Sequence, residues 1–225
     1  MAERVDLELL LYCGKEEDRL KRLIQRSQEA IRLSKRLMKL LSGVETPQGV
    51  MAFVKKPEWG WKELAPMVLY LEGVQDPGNL GTLLRTAQAT ASSIVTGPES
   101  VSFFNRKVVR ASSAALFSTP FRQAVPVEEL TRRGYGLWAA EQQAGESLFS
   151  LQFELPLAVM LGGEGPGLSP EALSAASHRL HLPMQPGCES LNLSVAGSLI
   201  LYQAYRQRGG RGAEGARAEA EGAVS

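Results

Sequence analysis

The sequence predicts an α/β protein, a mostly parallel sheet with helices on both faces, preceded by a small α/β unit. Three observations predict it. From residue 67 onward, strand-length apolar runs alternate with helix-length segments, the strand–loop–helix–strand order that builds parallel sheets. Two of those runs, residues 67–71 and 155–161, are apolar at nearly every position, as strands covered on both faces are. Glycine-rich or polar loops then follow the runs, where open parallel sheets bind their ligands.

The first sixty residues read as short elements. Residues 5–11 alternate like a strand and stop at Gly14. Residues 16–24 start a helix, with acids in the first turn and Leu20, Leu23 and Ile24 on one side. Beyond it, either the helix runs on to Leu41, or residues 30–33 form a strand and Ser34 caps a second helix, 35–41. The second reading is preferred, because one long helix would wrap apolar side chains around too much of its surface. Gly43 and Pro47 end that helix, residues 49–54 resemble a further strand, and residues 55–61 form a connector with Trp59 and Trp61 as anchors. These elements make a first domain of residues 1–60.

The larger part, residues 61–208, begins with the strand 67–71, a loop 72–79 and a helix 80–91 rich in Ala, Leu and Thr. A strand at 93–95, a helix at 106–116, a short strand at 124–125 and a helix at 127–133 follow. Strands at 135–140 and 155–161, a helix at 171–176, a strand at 178–182 and a helix at 193–205 complete it. Residues 209–225 have no apolar side chain larger than one valine, which predicts a disordered tail.

Composition narrows the function. The chain has 225 residues, ample for a core, and no uncharged apolar run near the ~18 residues of a membrane helix. Its charged start is unlike a secretory leader, and Cys13 and Cys188 are too few for a disulfide scaffold. A reduced, cytoplasmic protein without a metal is expected; His178 and His181 lack partners at ligand spacing. Net charge is +1, yet residues 19–39 hold eight basic side chains against the single acid Glu29. That block is either a solvated helical surface or a face that attracts phosphates.

Three polar islands lie at strand ends. Asn79 and Arg85 follow the strand 67–71, and Arg85 is the one charged residue between Asp76 and Glu99. It is either an arginine snorkelling beside a packed face or a rigid fork offered to phosphate or carboxylate. Residues 162–167 carry four glycines around Glu164, letting backbone approach a ligand closely. They match neither a dinucleotide fingerprint nor a phosphate loop, which argues against a NAD or ATP site. Residues 183–200 open as a Pro/Gly turn, collect Glu189, Ser190, Asn192 and Ser194, and become a helix whose free N–H groups can meet an anion or a carbonyl. Cys188 has no evident base, and no Gly-x-Ser-x-Gly elbow exists, so hydrolase chemistry is the weaker enzyme reading.

Taken together, three segments resemble the motifs of the SpoU (TrmH-like) RNA ribose methyltransferases of the SPOUT superfamily. They are Asn79-Leu-Gly-Thr-Leu-Leu-Arg85-Thr-Ala, Leu161-Gly-Gly-Glu164-Gly-Pro-Gly-Leu168 and Leu182-Pro-Met-Gln-Pro-Gly187-Cys-Glu-Ser190-Leu-Asn192-Leu-Ser-Val-Ala196. The resemblance covers about residues 45–206. It implies a C-terminal trefoil knot, an exception to the usual connection rules. It also implies S-adenosyl-L-methionine as cofactor, held near Ala139, Ala140 and Glu141, by Leu161, Gly162, Gly163, Glu164 and Gly165, and by Leu182, Met184, Ser190 and Leu191. The family's polar residues fall on Asn79, Arg85, Glu164, Ser190 and Asn192. Residues 1–60 also resemble part of a substrate-binding domain similar to ribosomal protein L30e; such domains usually begin with a further strand and helix, so either the domain is reduced here or the sequence starts late.

The implied reaction moves a methyl group onto a ribose 2′-hydroxyl. In the family scheme Arg85 helps deprotonate that hydroxyl; as a guanidinium it is better suited to hydrogen-bond the nucleophile and neutralise the neighbouring phosphate. Asn79 and Glu164 are expected to orient Arg85, Glu164 through charge-assisted bonds. Ser190 and Asn192 are expected to place the ribose or fix the loop. Arg22, Arg26, Arg32, Arg36, Arg85 and Arg110 are the expected RNA contacts, with ribosomal RNA favoured over transfer RNA. The resemblance implies a homodimer through the knotted domain, and Leu199, Ile200, Leu201, Tyr202 and Tyr205 spread over too wide an arc for one covered face. An RNA base methyltransferase of the same fold and a catalytically silent RNA-binding protein are the competing readings.

Overall fold

The computed structural model describes residues 5–15, 17–142 and 144–209, and the chain divides into two compact units, Met1–Glu58 and Trp59–Ser225. In the first, β1 (Leu7–Tyr12), α1 (Asp18–Arg26), β2 (Ser27–Arg32), α2 (Lys35–Ser42) and β3 (Val50–Val54) build a sheet of order β2-β1-β3. β1 runs parallel to β2 and antiparallel to β3. Leu10 and Tyr12 of β1 bury against Leu20 of α1. Ser34 accepts a hydrogen bond from Leu37 N, and Gly43, at φ 62°, ends α2 in the left-handed region. The helical run is broken at Ser27, which turns extended after α1 and starts β2 beside β1, so a single long helix does not form.

The second unit holds a seven-stranded sheet. Its elements are β4 (Met67–Glu72), α3 (Pro77–Ala89), β5 (Ser93–Thr96), α4 (Arg106–Ala111), β6 (Phe121–Arg122) and α5 (Val127–Arg132). After them come β7 (Gly136–Glu141), β8 (Glu146–Ser147), β9 (Leu157–Gly162), α6 (Pro170–Ala175), β10 (His178–His181) and α7 (Leu193–Gln207). The strand order is β6-β5-β4-β9-β7-β10-β8, and each neighbouring pair is parallel. Side chains alternate across it as a pleat requires. Met67, Leu69 and Leu71 face one core with Leu83 and Ile200, while Val68 and Tyr70 face the other with Leu130 and Ala172. Each such buried side chain contributes about 1.5–3 kcal/mol. Helices therefore cover both faces, and the expected α/β class is the one observed. α7 lies so close that a Cβ on Gly197 would sit 2.7 Å from Leu83 and 2.9 Å from Leu69.

Tyr70 donates its hydroxyl to Val125 O at 3.1 Å. Burial, and then the charges of Glu72 and Glu128, push its pKa well above the ordinary phenol value. It is a neutral strut between β4 and the chain after β6.

Several elements differ from expectation. The helix expected over 106–116 stops at Ala111, because Ser113 and Ala114 take positive φ, and a separate 3-10 turn forms at Ala115–Phe117. The short strand is Phe121–Arg122 rather than 124–125; Ala124 has φ 54° and Val125 N instead donates to Thr96 O at 2.9 Å. α3 begins at Pro77 rather than Leu80, since Asp76 caps it and proline suits the first helical position. The two-residue strand β8 carries too little pattern to be read from sequence. Apart from Gly209, the tail expected to be disordered lies outside the described residues. Among the described residues no helix is long and apolar enough to cross a membrane, and no group of three or more His, Cys, Asp or Glu could hold a metal ion.

Candidate active site

Three strand ends converge on one cavity of about 770 Å³. The first wall is the loop that leaves β9. Glu72 and Gly162 are register partners, Gly163 N donates to Glu72 O at 2.7 Å, and Gly163 bridges Gly167. Side chains have no room here. A Cβ on Gly162 would lie 2.0 Å from the Gly167 carbonyl carbon, and one on Gly163 would lie 2.4 Å from Gly73 O. Bare backbone at this density is what lets a loop present N–H and C=O groups directly to a ligand.

Leu161, Gly162, Gly163, Glu164 and Gly165 all line the cavity. From the end of β7, Ala140 and Glu141 reach it and Ala139 does not. Ala139 points to the sheet face opposite Ala140 and packs with Ala158 and Met160, inside the strand; Glu141 shares its side of the pleat but stands at the strand's end, where it reaches the cavity. Glu141 also pairs with Arg179 at 3.1 Å.

The third wall runs from β10 into α7, where Leu182, Met184, Ser190, Leu191 and Asn192 line the cavity. Asn192 caps α7, accepting from Ser194 N at 2.9 Å and from Ser194 Oγ at 2.7 Å. Its carbonyl oxygen is thereby committed to fixing the loop. Ser190 is exposed on the lining.

The first polar island divides. Asp76 Oδ1 accepts from Asn79 N at 2.7 Å, setting Asn79 in the first turn of α3, where it is buried. Asn79 Nδ2 donates to Glu164 Oε1, tying α3 to the glycine loop. Arg85 stands apart. Among the described residues it has no hydrogen bond or ion pair, it is exposed, and it is absent from the lining. The expected Glu164–Arg85 contact is therefore replaced by Glu164–Asn79. Helix geometry gives the reason, because six residues separate two side chains by about 120° around the axis.

Arg110 is exposed on α4, also outside the lining. In the first unit Arg22 and Arg26 on α1, Arg32 on β2 and Arg36 on α2 are all exposed, and Arg32 Nη2 donates to Gly14 O at 3.1 Å. His178 stacks on Trp138 with ring centroids 4.6 Å apart, and His181 Nδ1 lies 3.2 Å from Gly145 O.

The lining itself carries acidic but no basic side chains: Glu141 and Glu164 line the cavity, and none of the described lining residues is Lys or Arg, although Arg179 pairs with Glu141 from beside it. Gln142 and Leu173 also line the cavity without having been singled out in the sequence, and so do Leu168 and Ala196, which end two of the motif segments without an assigned role. Gln142 follows directly on the predicted Glu141; the apolar three carry no signal that separates a cavity wall from a core.

Residues 66–202, from just before β4 into α7, match the family described as the SpoU rRNA Methylase family. The chain belongs to that family. The SpoU rRNA methylase match takes in each strand end that walls the cavity, together with Arg85 and the α3–α7 surface. Among its relatives is the 23S rRNA (guanosine-2′-O-)-methyltransferase RlmB of Ralstonia nicotianae, 32% identical over 80% of this chain and 67% of that protein. Another is the 23S rRNA (guanosine(2553)-2′-O)-methyltransferase RlmP of Bacillus subtilis, 31% identical over 84% of this chain and 77% of that protein. The solved SpoU methyltransferase AviRb of Streptomyces viridochromogenes, in complex with the cofactor AdoMet, superposes with a TM-score of 0.79. It is 25% identical, over 92% of this chain and 85% of that one.

Proposed function

We propose that this protein transfers a methyl group from S-adenosylmethionine to a ribose 2′-hydroxyl of RNA, ribosomal RNA before transfer RNA. The observation that carries the reading is the cavity of bare glycine backbone whose described lining holds the carboxylate of Glu164, with a neutral amide as partner, and no Lys or Arg. Glu141 is paired with Arg179, whereas among the described residues Glu164 has only the neutral Asn79 amide as partner; a nucleoside triphosphate would bring phosphates against that carboxylate, and a sulfonium brings positive charge to it. Backbone donors and acceptors suit the edges of adenine, and Leu161, Leu182 and Leu191 suit its faces. The residues present thus fit S-adenosylmethionine, which when bound supplies a methyl group on a positively charged sulfur.

This chain's own residues do the rest. Asn79 holds Glu164, which keeps the glycine loop against α3. Asn192 fixes the start of α7 and leaves Ser190 on the lining, positioned to meet the ribose. Arg85 offers a protonated fork that hydrogen-bonds the 2′-oxygen and neutralises the adjoining phosphate, so that the hydroxyl proton passes to water as the oxygen attacks.

A second copy of the chain brings Arg85 and a cavity together. Leu191, Val195, Leu199 and Tyr202 form an outward apolar stripe on the α7 side, 36%, 47%, 40% and 52% exposed. The stripe adjoins α3, where Thr86 Oγ1 lies 2.9 Å from Ser198 Oγ, one residue from Arg85. Leu191 belongs both to the stripe and to the cavity lining. A two-fold dimer through this stripe sets each Arg85 beside the partner's cavity. Two further readings accompany it. The chain end passes through an earlier loop as a trefoil knot, supported by β9 inserting between β4 and β7 and by α7 returning onto α3. The first unit, L30e-like, carries substrate RNA on its exposed arginines. Neutralising Arg22, Arg26, Arg32 and Arg36 together is expected to weaken RNA binding and flatten its salt dependence, by about 0.7–0.9 in log–log slope for each phosphate no longer neutralised. Titrations over a salt series check this; an unchanged slope removes the face from the RNA path.

The function is tested by incubating the protein with isotopically labelled S-adenosylmethionine and ribosomal RNA, digesting to nucleosides and weighing them. Label on ribose is the expected result. Label on a base makes the protein a base methyltransferase, and no label together with no donor binding makes it an RNA-binding protein.

A further inference from the structure

The donor loop is held from one short stretch of chain. Its start is fixed by Gly163 N donating to Glu72 O at 2.7 Å. Its end is fixed by the same residue's side chain, because Glu72 Oε2 accepts from Ser169 N at 2.7 Å and Glu72 Oε1 from Ser169 Oγ at 2.8 Å. Ser169 in turn caps α6, accepting from Ala172 N at 3.1 Å. Glu72 itself is not part of the cavity lining. None of the steps proposed for methyl transfer uses it.

We infer that Glu72 is a positioning residue for the methyl donor: one side chain closes residues 163–169 into the shape that walls the cavity. The inference rests on reading that cavity as the donor site. The chemistry favours a carboxylate over its alternatives. Two oxygens accept two donors from one residue at charge-assisted distances, as no neutral side chain of this length does. Glutamine keeps the length but not the charge: its carbonyl oxygen can meet Ser169 N and its amide can donate to Ser169 Oγ, so both contacts lose their charge assistance and the serine hydroxyl must turn from donor to acceptor. The loop end is then held more weakly while β4, whose backbone pairing is untouched, stays in register.

The test compares wild type, Glu72→Gln, Ser169→Ala and the double variant by calorimetric titration with S-adenosylmethionine and by steady-state kinetics. Glu72→Gln is expected to weaken donor binding about tenfold, the size of one charge-assisted hydrogen bond. Donor KM rises accordingly, whereas kcat at saturating donor and RNA KM stay within about twofold of wild type. Ser169→Ala removes only the hydroxyl and moves donor affinity the same way, and the double variant falls short of the sum of the two. Wild-type donor affinity in Glu72→Gln, additive effects, or a lower kcat with donor KM unmoved each overturn the inference. If Glu72→Gln does not fold, Ser169→Ala decides alone, with wild-type donor affinity as the contrary result. Failure of the wild-type protein to bind donor overturns the assignment of the cavity itself.

Discussion

Alanine at Arg85 lowers methyl transfer by about a hundredfold to a thousandfold, the usual effect of removing one donor aimed at developing charge. Donor affinity stays near wild type, because Arg85 lies outside the cavity lining and among the described residues holds no hydrogen bond that the fold would miss. Its exposure on α3 makes a loss of stability beyond about 0.5 kcal/mol unexpected. Lysine does not rescue, since an ammonium lacks the flat fork that contacts a phosphate and a hydroxyl together. Single-turnover rates read beside calorimetric donor titration check the result. A parallel fall in rate and donor affinity would make Arg85 part of the donor site and contradict the division of labour described above.

The second large effect is at Gly163. A methyl group there would sit 2.4 Å from Gly73 O and 3.0 Å from Glu72 O, both backbone atoms of the β4 end. Neither can yield as a flexible side chain would, so the loop must move off β4. Gly163→Ala is therefore expected to cost about 1–3 kcal/mol of stability, the range for forced overpacking. Donor affinity should fall by about a hundredfold, the penalty associated with displacing a positioned group by an ångström. Thermal melts and donor titration measure the two separately. Gly165 is the internal comparison: nothing lies within 4 Å of a Cβ there, although its φ of 112° is strained for any other residue. A Gly163→Ala protein that binds donor like wild type would mean that the loop's close approach to β4 is unimportant.

Much of this architecture was legible because its signals are local. Apolar runs at 67–71 and 155–161 fixed the central strands, since only a strand covered on both faces tolerates such a sequence. The apolar residues of the basic run are spread too widely for one helix, and Ser34 can cap a second, which was enough to read two helices around a strand, although the strand is Ser27–Arg32 rather than 30–33. The failures have physical reasons. Positive φ at Ser113 and Ala114 interrupts a segment whose composition is helical throughout, and no residue type there announces it. The site was readable as three islands, but not as contacts. Glu164 could be foreseen near α3, whereas its partner depends on which side of the helix faces β9, and Asn79 rather than Arg85 faces it. Glu72 was read only as a loop residue, because the partner it grips, Ser169, is 97 positions away.

The proposed joining of Arg85 to a partner's cavity in a dimer is tested most directly by mixing two inactive subunits. One carries Arg85→Ala with an intact cavity; the other keeps Arg85 but carries Met184→Trp, an indole placed in the lining to fill the donor site. Unfolded and refolded together in equal amounts, half of the dimers are mixed, and each mixed dimer regains one working site of two. Methyl transfer restored to about a quarter of the wild-type level is the predicted result. Activity no greater than that of the separate variants, in a mixture shown to contain mixed dimers, would mean that Arg85 serves its own subunit's cavity and would contradict the shared site.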